Sequence, residues 1–279
     1  MFGYYNYCFR QYTTGRINFV KNSDSLPASS AKTAIGQPFI ELPAVDSTNM
    51  HAMDQLQANK AAHGAAFFAH RQTAGKGQRG KSWFAEADMG ISLTVITDSS
   101  FLPASNPFQW SVAAGLAAHD FFSIYAGDET SLKWPNDLYW RDRKAGGILI
   151  ENIFRGNNWP WSITGVGINI NQAQFPPGIG TPVSLRQITG KQFEPVLLAR
   201  ELCTRLEQRY QQLKNDGFKE MIGSYNQLLY RRNLKTRLKK ENVVFNCVIE
   251  GVSADGELVV SGGNRFRFGE VEWVRGNQK

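Results

Sequence analysis

The stretch Leu132-Lys133-Trp134-Pro135-Asn136-Asp137-Leu138-Tyr139 and, just beyond it, Arg143-Lys144-Ala145-Gly146-Gly147-Ile148-Leu149-Ile150-Glu151 lie near the middle of a 279-residue chain. Apolar and aromatic residues bounded by Pro, Asn, Asp and Gly predict strands over 132–139 and 146–154, with another over 161–169. Upstream, residues 108–125 read as a largely apolar helix, and 90–97, 65–70 and 39–45 as strands. Asp46-Ser47-Thr48 offers N-cap side chains for a helix reaching about Asn59. Downstream, Leu198, Leu202, Leu206, Tyr210 and Leu213 recur at helical spacing; Gly217 stops that helix, and a shorter one runs to about Leu229. These elements form one α and β unit that begins near Pro38.

The texture changes near residue 232. Short strands at 243–252, 257–260, 265–268 and 271–274, separated by Ser253-Ala254-Asp255-Gly256 and Gly262-Gly263-Asn264, predict a small β-barrel or open sandwich. The expected organisation is an N-terminal extension over 1–37, a larger domain over 38–232 and a β domain over 233–279. Residues 1–36 are aromatic, polar and aperiodic, which suits a flexible arm and not the paired amphipathic helices of a helix-turn-helix.

Composition narrows the class. With 42% hydrophobic residues the chain has ample core, and no apolar run approaches a membrane span. Cys8, Cys203 and Cys247 are too far apart for a disulfide framework or a metal-ligand motif, so a cytoplasmic setting is expected. The net charge of +7 is concentrated: residues 1–35 carry +3, 71–81 carry +4 and 231–240 carry +6, leaving −6 on the remainder (7 − 13). The chain has basic spots and is not basic throughout.

Four segments carry chemistry. In Ala74-Gly75-Lys76-Gly77-Gln78-Arg79-Gly80-Lys81-Ser82-Trp83, glycines let backbone N–H groups turn inward while Lys76, Arg79 and Lys81 add charge, a concavity suited to anions. It matches neither a Walker A loop nor a Rossmann turn, and a solvated basic hairpin tip is the plainer alternative. Pro135 favours a strand end for Asn136 and Asp137, which suit either a capped turn or a hydrated Mg²⁺ beside phosphates. Gly146-Gly147 permits close approach, and Lys144 at the strand entrance suits a carboxylate or phosphate, or simply snorkels. Asn169 and Asn171 alternate onto one strand face and so both face one ligand.

Taken in order, Asp46-Ser47-Thr48-Asn49, the Gly-Lys-Gly-Gln-Arg-Gly-Lys loop with Trp83, Lys-Trp-Pro-Asn-Asp, Lys-Ala-Gly-Gly-Ile-Leu-Ile-Glu and Gly-Ile-Asn-Ile-Asn resemble the biotin–protein ligase family over about residues 38–230. The resemblance implies an α+β fold, a mixed sheet flanked by helices with a C-terminal SH3-like barrel, in a short form without a DNA-binding domain. It implies ATP and Mg²⁺ as cofactors, biotin as substrate and a biotin carboxyl carrier protein as partner, with no DNA or membrane partner, in a monomer or homodimer. Lys144, Arg79 and Asp137 would be catalytic, Asp137 orienting the incoming amine. Ser47, Thr48, Asn49, Gln72, Lys76, Gly77, Gln78 and Lys144 would bind biotin. Arg79, Lys81, Trp83, Lys133, Asn136 and Asn169 would bind ATP, with Trp83 against adenine and Asn136 and Asn169 near Mg²⁺.

The loop departs from the family pattern, which has arginines where this chain has Lys76, Gln78 and Lys81. A guanidinium fork is not replaced by an amide or ammonium, so Gln78 puts tight retention of the adenylate in doubt. A lipoate–protein ligase of the same fold and a non-catalytic biotin-binding or regulatory protein are the alternatives. The basic run 231–240 reads either as a solvated linker face or as a docking face for an acidic carrier.

Overall fold

The computed structural model describes residues 33–274, so most of the expected N-terminal extension and Cys8 lie outside the described residues. Packing already includes the residues ahead of Pro38: Ile35 is buried in the core and its N–H donates to Glu207 at 2.8 Å.

The larger unit is a seven-stranded sheet. Its strands are β1 (Phe39–Leu42), β2 (Ala66–Ala69), β3 (Gly90–Asp98), β4 (Thr130–Lys133), β5 (Asp137–Trp140), β6 (Arg143–Arg155) and β7 (Asn158–Asn169), in spatial order β1-β2-β3-β7-β6-β5-β4. Only β1 and β2 run parallel, so the sheet is mixed as expected. Helices flank it: α1 (Thr48–Gln57) on one face, and α2 (Phe108–Ala126) with α3 (Leu185–Thr189), α4 (Pro195–Asn215) and α5 (Lys219–Gln227) on the other.

Sequence explains the layers. Helix α2 is apolar nearly all round and buries Trp110, Val112, Leu116, Phe121 and Phe122 between the sheet and its neighbours. The predicted stripe of α4 buries Leu198, Leu202, Leu206, Tyr210 and Leu213, with Pro195 at its start. Along β3, Ile91, Leu93 and Val95 face that core, whereas Ser92 and Thr94 alternate to the opposite face. In β7, Val166 and Ile168 face the core and Gly165, Gly167 and Asn169 the other side; in β6, Ile148 and Ile150 do so against Gly147 and Leu149. One face of the sheet is therefore packed shut, and the other has a floor of small residues.

The structure corrects two sequence expectations. Residues 132–139 are not one strand: Trp134-Pro135-Asn136 turns the chain back, and Lys133 pairs with Asp137 across an antiparallel hairpin. Pro135 has no N–H to continue a ladder, so the strand ends there. The basic run is not a linker face either. Lys235–Lys240 forms β8, which lies between β9 (Val243–Val252) and β12 (Glu272–Trp273) in a second, antiparallel sheet completed by β10 (Leu258–Val260) and β11 (Asn264–Phe266). Alternation explains it: Thr236 and Leu238 are buried while Lys235 and Arg237 are exposed. This five-stranded sheet is compatible with an SH3-like module.

Candidate active site

The small-residue floor is built by register. Ser92 pairs with Gly167, Gly167 with Gly147 and Gly147 with Asp137, a row across four strands. Above it lies a cavity of about 700 Å³. Five cations line it, Lys76, Arg79, Lys81, Lys133 and Lys144, against the carboxylates of Asp137 and Glu272. Such an excess in a concave site favours anionic ligands.

The glycine loop forms the rim over this floor. Trp83 N–H donates to the Gly75 carbonyl and Gly77 N–H to the Lys81 carbonyl, at 2.9 and 2.7 Å, so the loop is a closed hairpin. Arg79 at its tip has φ of +55°, the left-handed region. The Trp83 indole lies on Gly167, where a Cβ would come within 2.5 Å of the ring. The glycine thus gives the aromatic ring its seat.

At one end, the Gln72 side-chain oxygen Oε1 accepts from the Thr48 N–H and hydroxyl at 2.9 and 3.1 Å, beside Ser47 at the start of α1. Asn49 lines the cavity beside them and is also tied into the scaffold. Its amide donates to Glu151 at 2.9 Å and accepts from Thr94 at 2.7 Å, filling the space over Gly165. At the other end, Lys144 Nζ meets Asp137 at 2.5 Å above Gly147. The loop 175–182 returns beside them, its Thr181 carbonyl accepting from the Lys144 N–H at 2.8 Å.

Asn136 and Asn169 both reach the cavity, each with its amide nitrogen on a backbone carbonyl, of Ile148 at 2.8 Å and Val183 at 3.1 Å. Asn171 does not join Asn169: it is exchanged in two hydrogen bonds with the backbone of Phe193 and belongs to the scaffold. Lys133 lines the rim, its ammonium among three aromatic rings. The sequence reading missed the wall supplied by the second sheet, Phe268, Gly269, Val271, Glu272 and Trp273; nothing local in those residues marks them.

A cationic loop, a Lys–Asp pair and a polar pocket on one glycine floor make a site suited to a polar head group and to anions. Residues 41–169 match the Biotin/lipoate A/B protein ligase family. A biotin--[acetyl-CoA-carboxylase] ligase of Paracoccus denitrificans is 28% identical over 79% of this chain and 93% of its own length. A bifunctional ligase/repressor of Bacillus spizizenii is 27% identical over 86% of this chain and 74% of its own. The biotin protein ligase of Aquifex aeolicus, solved in complex with biotin and ATP, superposes with a TM-score of 0.72 at 26% identity, covering 85% of this chain and 98% of that one.

Proposed function

We propose that this chain is a biotin–protein ligase. Biotin's carboxylate attacks the α-phosphate of ATP, giving biotinyl-5′-AMP and pyrophosphate; a lysine amine of a biotin carboxyl carrier protein then attacks the acyl carbon and AMP leaves. The observation that carries this reading is the single cavity that joins the Thr48–Gln72 pocket to the cationic loop and the Lys144–Asp137 pair.

The chemistry brings two anions together, so fixed cations lower the barrier most where charge develops. In this reading Ser47, Thr48 and Gln72 hold the ureido head. Lys76, Gly77 and Gln78 cover the carboxylate side, and Lys144 with Arg79 neutralises carboxylate and phosphate. Lys81, Trp83 and Asn169 face the nucleotide. Asp137, freed from Lys144 as that ammonium turns to substrate, orients the acceptor amine. Among the described residues no group of three or more His, Cys, Asp or Glu is arranged to hold a metal. Mg²⁺ carried by ATP needs only one or two protein oxygens besides phosphates and waters, and Asn136 and Asn169, whose nitrogens are anchored on the backbone, present amide oxygens that fit it. When bound, the ion offsets phosphate charge.

The test is incubation with ATP, Mg²⁺, a carrier domain and either biotin or lipoate, with the product weighed. Addition of biotinyl mass is expected; lipoyl addition alone would replace this reading by its lipoate alternative, and no addition with biotin bound would leave a binding protein.

Two expectations belong to the same reading. Gln78 lines the cavity without a guanidinium, so release of biotinyl-5′-AMP should be faster, by a factor on the order of ten, than from Gln78→Arg. A chase of labelled adenylate measures this, and equal rates would remove Gln78 from retention. The basic strand β8 borders β12, whose residues line the cavity, which supports a carrier-docking role. Reversing charge at Lys239 and Lys240 should raise the carrier KM severalfold and leave the biotin KM alone; an unchanged carrier KM counts against docking there. We further propose a cytoplasmic monomer or homodimer without DNA or membrane partners; no helix among the described residues is long and apolar enough to cross a membrane.

A further inference from the structure

The second sheet supplies one wall of the cavity, and two consecutive residues of the β4–β5 hairpin contact it. Trp134 Nε1 donates to the Gly256 carbonyl at 3.0 Å, and its ring lies 6.2 Å from that of Phe268. Lys133 reaches another part of the same sheet. Its ammonium stands 4.6, 5.6 and 5.2 Å from the ring centroids of Tyr139, Tyr230 and Trp273, and donates to the Tyr139 hydroxyl at 3.0 Å. The rings come from β5, from the connection between α5 and β8, and from β12, so one cation gathers three separate pieces of chain. The rings also touch one another, Tyr139 to Tyr230 at 4.9 Å and Tyr230 to Trp273 at 5.6 Å.

This cluster is anchored. The Tyr230 hydroxyl donates to Asp142 at 2.5 Å; burial and then that bond push the phenol up to about 12. The same bond, with Arg231 and Lys133 nearby, holds the Asp142 carboxyl below its ordinary range. A cation over aromatic faces away from bulk water is attracted to them more strongly than at an open surface.

We infer that Lys133 is a positioning residue: through Trp273 it clamps the second sheet so that Phe268 and Gly269 back Arg79 at the cavity. The Arg79 guanidinium lies 6.0 Å from the Phe268 centroid, and a Cβ on Gly269 would sit 3.7 Å from its carbon. Arg79 stands in the left-handed region at an exposed loop tip, so the wall behind it limits where its charge can go. The clamp differs from direct contact between Lys133 and nucleotide, because its effect runs through Trp273. Its kinetic consequence rests on the ligase reading; its mechanical one does not.

A double-mutant cycle separates these cases. Biotin-dependent exchange of labelled pyrophosphate into ATP is measured for wild type, Lys133→Met, Trp273→Leu and the double variant, with Lys133→Arg as the conservative substitution. Each single variant should lose about tenfold in kcat/KM, the double variant no more than either, and Lys133→Arg should keep most activity. Backbone hydrogen exchange in the ligand-free chain should rise in residues 76–81 and 266–274 alike for both single variants. Equal loss from Lys133→Met in the presence and absence of Trp273 would assign Lys133 to the nucleotide and overturn the clamp. Unchanged hydrogen exchange in residues 76–81 would overturn it too, whether or not wild type is active. Wild type without exchange activity would count against the ligase reading alone.

Discussion

Lys144→Ala should lower biotin-dependent pyrophosphate exchange by about 10²–10³-fold, the cost of removing one preorganised charge-stabilising donor, about 2.7–4 kcal/mol. The backbone there does not depend on the side chain. Lys144 N–H donates to Thr181 and its carbonyl accepts from Val183 at 2.8 and 2.9 Å, so the strand and returning loop stay joined. The side chain is 37% exposed and its partner Asp137 23%, so the ion pair itself contributes little to stability. The melting temperature should therefore move by only a few degrees while the chemistry loses a cation at the meeting point of two anions. Lys144→Arg should recover little, because a planar fork cannot occupy the place of a compact ammonium above Gly147. The same pair predicts a division of roles: Asp137→Asn leaves the cation and should slow transfer more than adenylation. Exchange by Lys144→Ala within threefold of wild type, with adenylate visible by mass spectrometry, would take Lys144 out of the mechanism.

Much of this site can be read along the chain, because local chemistry sets it. The apolar helix over 108–125, the stripe of α4 and the strand over 90–97 follow from period and composition, and the structure has them within a residue or a few. The Gly-rich cationic loop was recognisable for the same reason: its charge and its turns are both local. What escaped was pairing. Asn49, Asn136, Asn169 and Asn171 are alike as sequence, yet Asn171 is consumed by the scaffold while the other three reach the cavity, Asn49 with its amide also bonded to Glu151. A buried amide takes whatever partner the fold brings, and that partner can stand 102 residues away, as Glu151 does from Asn49. The hairpin at Pro135 was hidden by apolar residues on both sides of the turn. The second sheet's wall was hidden because its place at the cavity depends on long-range contacts, among them Trp134 with Gly256 and Phe268 and Lys133 with Trp273.

The glycine floor yields the other large effect, since its role lies in what is absent. Gly167→Ala asks for a methyl group 2.5–2.8 Å from three atoms of the Trp83 indole, closer than any non-bonded contact. Either the strand or the ring must move, and β7 is held between β3 and β6 along its length. The ring yields. Trp83 is tied to Gly75, and the hairpin between them carries Lys76, Arg79 and Lys81, so the cations shift with it. Displacing catalytic groups by about 1 Å costs on the order of a hundredfold, and overpacking costs about 1–3 kcal/mol of stability. Gly165→Ala, two residues away, makes the contrasting case. Its methyl would fall 2.2 Å from Asn49 Oδ1, inside a buried network with Thr94 and Glu151, so its main consequence should be thermal. Gly167→Ala is thus expected to raise the ATP KM and lower the exchange rate with a modest loss of melting temperature, and Gly165→Ala to lose more melting temperature than rate. Replacing Trp83 by Leu in the Gly167→Ala background should return part of the lost activity by vacating the space the methyl needs. If Gly167→Ala instead exchanges pyrophosphate at the wild-type rate and ATP KM, the indole is not seated on the floor in solution, and the loop owes its position to something other than the glycine beneath it.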